Sequence, residues 1–239
     1  KEIAQRFDAI DHILKVLLRL DLALTRARYS DWLGGVPPQL KAEYDAPFNL
    51  QELRHPLLVW QEKNKQGRKV VPISIEVSSQ VKVVAITGPN TGGKTVALKS
   101  IGLVALMTRY GMLLPCSGDP FVPWCNQVLA DIGDEQSLQQ NLSTFSGHIC
   151  RITRILNELK MDPGPSMVLL DEVGAGTDPT EGTSIAIALL KVLADRARLT
   201  IATTHYGELK ALKYSDSRFE NASVAFNTET IKPTYHLQW

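Results

Sequence analysis

The chain has 239 residues, enough for one large α/β domain with an appendage and for a sizeable buried core. Its 26 basic and 25 acidic residues leave a net charge of +1, so composition gives no support for nucleic-acid binding, although a local basic face is compatible with it. Three cysteines without a CxxC pair disfavour a disulfide framework or a zinc site, and the lack of a signal-peptide pattern or a membrane-length apolar run predicts a cytoplasmic protein.

A long amphipathic helix is predicted at the start of the sequence, from residue 3 to about residue 29. The apolar residues that recur there at spacings of three and four are Phe7, Ile10, Leu14, Leu17, Leu18 and Leu24. Because no N-cap residue precedes it, this helix either continues a longer helix from an upstream domain or is a frayed native terminus. Glycine and proline residues between positions 31 and 50 then predict a linker.

Three short, almost wholly apolar runs predict strands that are buried on both faces, at residues 81–87, 167–171 and 199–204. Helical stretches are predicted around them, at about 94–111, 147–160 and 180–197. This alternation predicts a mostly parallel sheet with helices on its faces.

The last of these helices has a recognisable start. Asp178 is a suitable N-cap, Pro179 suits the first turn, and Glu181 follows Asp178 by three residues, as in a capping box. After it, residues 222–227 and 231–237 predict a hairpin.

The sequence GPNTGGKT matches the phosphate-binding pattern GxxxxGK[ST]. The predicted nucleotide contacts are Gly88, Pro89, Asn90, Thr91, Gly92, Gly93, Lys94, Thr95 and Val96. The glycines allow backbone N–H groups to surround a polyphosphate, Lys94 can reach the β- and γ-phosphates, and Thr95 can ligate Mg²⁺. The alternative is a glycine-rich turn that binds nothing, but the position between a strand and a helix favours phosphate binding.

Two carboxylates, Asp171 and Glu172, follow the second apolar run. At the end of a buried strand, Asp171 can hold Mg²⁺ beside Thr95, and Glu172 can orient or deprotonate the attacking water. The alternative is a strand that simply ends in an acidic turn. The phosphate-binding pattern upstream favours the catalytic interpretation.

Two further polar residues are candidates for the same site. His205 follows the third apolar run, where the carboxyl ends of parallel strands gather ligands, and it is placed to sense the γ-phosphate; a purely structural histidine is the alternative. Ser143 begins the segment STFSGH, which by itself is typical of a helix start with a serine cap.

Four segments, GPNTGGKT, LSTFSGH, LLDEVGAGTDP and ATTHYGELK, resemble in their order and spacing the ATPase domain of the MutS superfamily, which is ABC-like. The forms STFSGH, DEVGAGTDPTEG and DIGDEQSLQQNLSTF resemble the bacterial MutS-two branch more than mismatch-repair MutS. The implied fold is an α/β, ABC-like P-loop NTPase with a mostly parallel sheet flanked by helices, plus an N-terminal long helix. The implied division is the end of a lever helix at 1–30, a linker at 31–50 and the ATPase domain at 51–239.

The resemblance implies ATP or ADP and Mg²⁺ as ligands, with Glu172, Lys94, His205 and Ser143 as catalytic residues and Thr95 and Asp171 as metal ligands. It also implies a homodimer with a composite site, in which Ser143 reaches the partner's γ-phosphate and Asp178 lies in a loop that crosses the interface. Gln136 falls in a segment that resembles the Q-loop. Tyr235 lies where the family places an adenine-stacking residue, and the alternative is an aromatic residue that packs on the core.

The implied function is an Mg²⁺-dependent ATPase whose dimer and lever switching is coupled to binding branched DNA and to suppressing homologous recombination. One alternative is the same core in a ribosome-associated factor that splits stalled ribosomes. Another is a nucleotide-gated interaction module without efficient turnover. Transport is disfavoured because the Ser143 segment is not of the LSGGQ form and no membrane segment is present. The dimer-closing helices and the KOW-like and Smr nuclease modules of the branch are not recognised, so we expect an excised core without nuclease activity.

Overall fold

A computed structural model describes residues 6–41, 47–67, 69–89, 92–133, 144–227 and 232–239. The helices are α1 (Phe7–Leu33), α2 (Pro56–Lys63), α3 (Lys94–Arg109), α4 (Thr144–Met161), α5 (Pro179–Arg196), a 3₁₀ helix (Gly207–Ala211) and α6 (Leu212–Ser215). The strands are β1 (Gln39–Lys41), β2 (Phe48–Leu53), β3 (Ile73–Val77), β4 (Val83–Thr87), β5 (Ser117–Pro123), β6 (Gln127–Asp131), β7 (Ser166–Leu170), β8 (Leu199–Thr204), β9 (Phe219–Asn227) and β10 (Lys232–Gln238).

The central sheet has six strands in the order β10-β9-β4-β8-β7-β6. Every neighbouring pair from β9 to β6 is parallel, and β10 pairs antiparallel with β9. The predicted mostly parallel sheet and the C-terminal hairpin are therefore confirmed. Because β8 lies between β4 and β7, the carboxyl ends of the three predicted strands are neighbours at one edge of the sheet.

Alternate residues of β4, β7 and β8 enter two separate hydrophobic cores, which explains why these strands are mostly apolar. The side chains that pack on the core containing α3 are Val84, Ile86, Met167, Leu169, Leu199 and Ile201. Those that pack on the core containing α4 and α5 are Val83, Val168, Leu170 and Ala202. The sheet is thus covered on both faces, and its carboxyl edge supports the loops.

A second sheet, in the order β1-β5-β2-β3, adds a feature that the sequence patterns do not predict. In β3, Ile73, Ile75 and Val77 are buried and alternate with two exposed residues, so one face of this sheet joins the α3 core. The predicted linker at 31–50 contains the end of α1, all of β1 and the start of β2. The domain boundaries themselves stay predictions.

Helix α1 confirms the predicted N-terminal helix and extends to Leu33, beyond the expected end near residue 29. Its apolar stripe does not face the domain, since Phe7 is 66% exposed and Leu18 is 59% exposed. The helix is attached only near its C-terminal end among the described residues, where Ser30 and Leu33 are buried.

The attachment of α1 joins it to the segment that follows α3. The Ser30 hydroxyl accepts a hydrogen bond from the Leu113 N–H at 3.0 Å. Val36 and Leu114 exchange two backbone hydrogen bonds, at 2.9 and 2.8 Å. The base of α1 is therefore held against the C-terminal end of α3.

Helix α5 begins as the sequence predicts. The Asp178 carboxylate accepts hydrogen bonds from the N–H groups of Thr180 and Glu181, at 2.9 and 3.3 Å, and Pro179 is the first helical residue. The Glu181 carboxylate accepts from the Thr177 hydroxyl at 3.1 Å. The two bonds to Asp178 satisfy N–H groups that have no partner inside the helix.

The three cysteines are free thiols: Cys116 and Cys125 are buried, and Cys150 is exposed on α4. Burial raises the pKa of both Cys116 and Cys125 to about 11, so these thiols stay protonated and unreactive at neutral pH. Within the described part of the chain, none of the helices has the length and apolar character that crossing a membrane requires.

Candidate functional site

The carboxyl edge of the central sheet brings the sequence-predicted residues together. Strand β4 ends at Thr87, and the loop that begins at Gly88 leads into α3 at Lys94. Strand β7 ends immediately before Asp171, and β8 ends immediately before His205. Each candidate residue therefore follows a strand that is fixed on both faces by the core.

The phosphate-binding loop needs its glycines for two different reasons. Gly88 and Gly93 have φ angles of 132° and 86°, in the region that favours glycine. Gly92 has an ordinary φ, but a Cβ there would lie 3.0 Å from Cγ1 of Val224 on β9. The loop thus turns sharply and also packs closely against the neighbouring strand.

Lys94 is almost fully buried at the start of α3, with 2% of its surface exposed, and its ammonium group donates to the Gly88 carbonyl. Burial lowers the pKa of Lys94, and the nearby Glu172 and Asp171 carboxylates partly oppose this effect. The amino group therefore lies inside the loop and close enough to both carboxylates to interact with them.

A hydroxyl and a carboxylate oxygen meet at the position that the sequence predicts for a metal. The Thr95 hydroxyl donates to Oδ1 of Asp171 at 3.2 Å. The Thr203 hydroxyl donates to the same oxygen at 2.6 Å and accepts from the Glu172 N–H at 2.8 Å. Mg²⁺ prefers such hard oxygen ligands, so the donor set of Thr95 and Asp171 fits it.

Thr203 is a residue of the site that the sequence patterns do not single out. It is fully buried on β8, and its single hydroxyl fixes both Asp171 and the backbone of Glu172. The only signal in the sequence is a polar pair, Thr203 and Thr204, at the end of a mostly apolar strand.

Glu172 has an unusual backbone conformation, with φ at 52°. Its carbonyl accepts from the Ala175 N–H at 3.0 Å, and its Oε1 lies 3.2 Å from Nε2 of His205. A positive φ at a residue with a side chain is strained, and it persists where the surrounding contacts hold it. The backbone contacts with Thr203 and Ala175 hold this conformation, in which the Glu172 carboxylate lies beside His205.

An apolar cavity of about 420 Å³ lies beside the first turn of α3. Val96, the last residue of the predicted set, lines it together with Val70 and Val71, which no sequence motif identifies. His55 lies at its wall, and burial, followed by the charge of Lys99, lowers the His55 pKa. The cavity therefore presents a mostly apolar wall, which also includes Lys69, next to the phosphate-binding loop, and such a wall suits a flat aromatic ring.

The remaining candidates are placed only in part. The Asp178 side chain is exposed and serves as the α5 cap. The residues that lie outside the described ranges are Asn90, Thr91, Gln136 and Ser143. The backbone of Tyr235 belongs to β10, and its side chain is outside the described part as well.

Comparison with known proteins gives a consistent family. The chain is 59% identical over 246 residues to the Endonuclease MutS2 of Synechocystis sp., covering 96% of this chain and 30% of that protein. It is 48% identical over 225 residues to the Endonuclease MutS2 of Halothermothrix orenii, covering 94% of this chain and 27% of that protein. It is 46% identical over 235 residues to the Endonuclease MutS2 of Symbiobacterium thermophilum, covering 98% of this chain and 28% of that protein.

The chain thus spans less than a third of the length of these relatives. Residues 84–238 match the model of MutS domain V, a P-loop ATPase-type domain. This match contains β4 to β10, together with the phosphate-binding loop and the Asp171, Glu172 and His205 cluster described above. On the fold, the site and this match, the chain belongs to the MutS domain V family.

Proposed function

We propose that this chain binds and hydrolyses ATP, with Mg²⁺, as the core of a MutS-two-type protein. The observation that carries the proposal is the meeting of Thr95, Asp171 and Glu172 beside the buried Lys94 at one edge of the sheet. Membership of an ATPase-type family supports it. The contact between Glu172 and His205 favours hydrolysis over a module that only binds nucleotide.

In this proposal the phosphate-binding loop surrounds the triphosphate with backbone N–H groups. The Lys94 ammonium exchanges the Gly88 carbonyl for oxygens of the β- and γ-phosphates, because a charge-assisted hydrogen bond is stronger than a bond to a neutral carbonyl. The adenine ring occupies the apolar cavity beside Val96. Tyr235 remains a second candidate for contacting the base.

Thr95 and Asp171 would hold Mg²⁺, and Thr203 keeps the Asp171 carboxylate in place. When bound, Mg²⁺ supplies positive charge that neutralises the phosphate oxygens during transfer. Buried Thr203 matters because a carboxylate that rotates freely would not keep its oxygens towards the loop.

Glu172 is proposed to orient the attacking water and to accept its proton. Its amide is fixed by Thr203 and its carboxylate contacts His205, so the end of β8 sets its position at two points. His205, on the exposed side of the pair, is suited to sensing the γ-phosphate. ADP and phosphate would then be the products that the loop releases.

A homodimer with a composite site is part of the proposal, with Ser143 and Asp178 acting across the interface. Dimer contact would then be coupled to movement of α1, which projects from the domain.

ATP hydrolysis per protein molecule should fall on dilution to nanomolar concentrations, and it should require Mg²⁺. Constant specific activity on dilution would reject the composite site, and a lack of ATP binding in the presence of Mg²⁺ would reject the ATPase proposal.

For the partner, we propose branched DNA, with suppression of homologous recombination as the function of the whole protein. The net charge of +1 argues that the DNA contacts lie largely outside this chain. Stimulation of the ATPase by branched DNA, but not by stalled ribosomes, is the expected result; the reverse would favour the ribosome-associated alternative. The proposal does not extend to the endonuclease activity in the relatives' name, because the chain spans under a third of their length.

Gly174, two residues after Glu172, should not tolerate a side chain. Its φ is 84°, and a Cβ would lie 2.5 Å from the Gly182 carbonyl oxygen and 3.0 Å from the Tyr206 ring. Gly174→Ala should destabilise the fold by roughly 1–3 kcal/mol. It should also lower kcat by roughly 10- to 100-fold by displacing Glu172. Thermal unfolding and steady-state ATPase assays measure both effects. Gly207→Ala is the matched control, since no atom lies within 4 Å of its Cβ position; equal behaviour of the two variants would contradict the prediction.

A further inference from the structure

A cluster of polar and charged side chains lies one strand away from Asp171 and has no place in the roles assigned so far. Asp131 ends β6, the edge strand of the central sheet, and is only 2% exposed. Its Oδ2 lies 2.6 Å from Nδ1 of His148, and its Oδ1 accepts from the Arg151 guanidinium. We call Asp131, His148 and Arg151 the α4 clamp.

The α4 clamp connects α4 directly to the strand end that carries the candidate site. The Asp131 carbonyl oxygen accepts the Asp171 N–H at 2.9 Å, so the backbones of the two aspartates are bonded to each other. His148 and Arg151 are three residues apart on α4 and therefore face the same side of the helix. Because two side chains of α4 bind the same buried carboxylate, they fix the position of this part of the helix along its axis and its rotation about that axis.

The Arg151 guanidinium packs against the backbone on both sides of the clamp. Cβ atoms at Gly133 and Gly147 would lie 3.6 and 3.5 Å from its terminal nitrogens, so Arg151 packs between two positions that have no side chain. The guanidinium therefore lies against the backbone after β6 and against the first turns of α4 at once.

The loop that follows Glu172 holds the beginning of α4 from the other side. Gly176, with φ at 88°, approaches Phe145 so closely that a Cβ would lie 3.0 Å from the Phe145 nitrogen. The beginning of α4 thus contacts two segments next to Asp171. One is the loop that contains Gly176, which follows Asp171 in the chain, and the other is the end of β6, the strand that pairs with β7. The far half of α4 packs on the described core through apolar side chains, among them Ile155, Leu156 and Leu159.

We propose that Asp131 is a positioning residue of the ATPase: through His148 and Arg151 it fixes the first turns of α4 relative to Asp171 and thereby sets the turnover rate. This inference rests on the proposed ATPase function. Ser143 immediately precedes α4 in the sequence, so a shift of this helix end would displace the residue that the composite site requires. ATP held by the phosphate-binding loop would still bind, since no residue of the α4 clamp belongs to that loop.

The test compares Asp131→Asn, His148→Gln and the double variant in the full-length protein. Each single variant should lower kcat roughly 10- to 100-fold. The dissociation constant of a fluorescent ATP analogue should stay within about twofold, because a positioning effect acts on turnover and leaves ground-state binding unchanged. The double variant should be no slower than the slower single variant, because both substitutions break the same contact. A double variant whose loss is the product of the two single losses would overturn the proposal.

Two controls separate positioning from loss of stability. Asp216→Asn removes a carboxylate that accepts hydrogen bonds from Arg218 near the opposite, amino edge of the sheet, and it should leave kcat unchanged. If Asp131→Asn does not fold, Arg151→Gln replaces a partly exposed member of the clamp, and Arg151→Lys should recover part of the lost kcat. Wild-type kcat in both His148→Gln and Arg151→Gln would overturn this inference and leave the proposed ATPase function intact. A wild-type protein that hydrolyses no ATP would overturn the proposed function and this inference together.

Discussion

Glu172→Gln should lower kcat for ATP hydrolysis by about 10²- to 10⁴-fold while ATP remains bound. Glutamine preserves the size of the side chain and a hydrogen bond to His205, but it cannot accept a proton from water. The backbone strain at φ 52° is unchanged, since the Thr203 and Ala175 bonds involve only the main chain of residue 172. Single-turnover kinetics with radiolabelled ATP, together with filter retention of the bound nucleotide, measure the two properties separately.

Glu158→Gln is the matched control for this substitution. Glu158 is an exposed glutamate on α4, away from the carboxyl edge of the sheet, and its replacement should leave turnover unchanged. Turnover by Glu172→Gln at the wild-type rate would reject Glu172 as the base. It would then favour a nucleotide-gated module or a different proton acceptor.

Lys94→Ala should weaken ATP binding by roughly 10- to 100-fold, the loss expected for charge-assisted hydrogen bonds to phosphate. The nucleotide-free protein should lose little stability, within about 1 kcal/mol, because the substitution also removes the cost of burying an ammonium group. The lowered pKa of Lys94 reflects that cost. Titration with a fluorescent ATP analogue and urea unfolding without nucleotide measure the two effects.

Lys99→Ala provides the comparison for Lys94→Ala on the same helix. Lys99 is exposed one turn further along α3, and its replacement should leave ATP affinity within about twofold of wild type. Equal losses of ATP affinity in the two variants would show that removing any positive charge from α3 weakens ATP binding. ATP affinity that is unchanged in Lys94→Ala would contradict the assignment of the phosphate-binding loop.

The sequence predicts the part of the fold that carries the candidate site, because the apolar runs, the phosphate-binding pattern and the helix cap there all indicate the same strands and helices. Strands β4, β7 and β8 are buried on both faces, so they are visible as short, largely apolar runs. The polar residues of the site lie at or just after the carboxyl ends of these strands. The start of α5 at Asp178 is equally local, since an N-cap acts on residues two and three positions away.

The sequence does not predict the second sheet or the α4 clamp, because both depend on contacts between residues that lie far apart in the chain. Strand β5 contains glycine and two prolines, and it is stabilised by pairing with β1 and β2 from much earlier in the chain. Asp131 meets His148 and Arg151 only after the chain has passed through residues that carry no periodic signal. Thr203 belongs to the same category, since its role depends on the adjacency of β7 and β8.

The attachment of α1 to the end of α3 has a mechanical consequence. Helix α3 begins at Lys94 inside the phosphate-binding loop, and the segment after it is hydrogen-bonded to the base of α1 through Ser30 and Val36. With its 27 residues, α1 is about 40 Å long, so a tilt of about 5° at its base moves its far end by about 3.5 Å. If the proposed ATPase rotates α3 slightly at its nucleotide site, this attachment would carry the rotation to α1 as a displacement of several ångströms at the far end, where the apolar side of the helix is exposed.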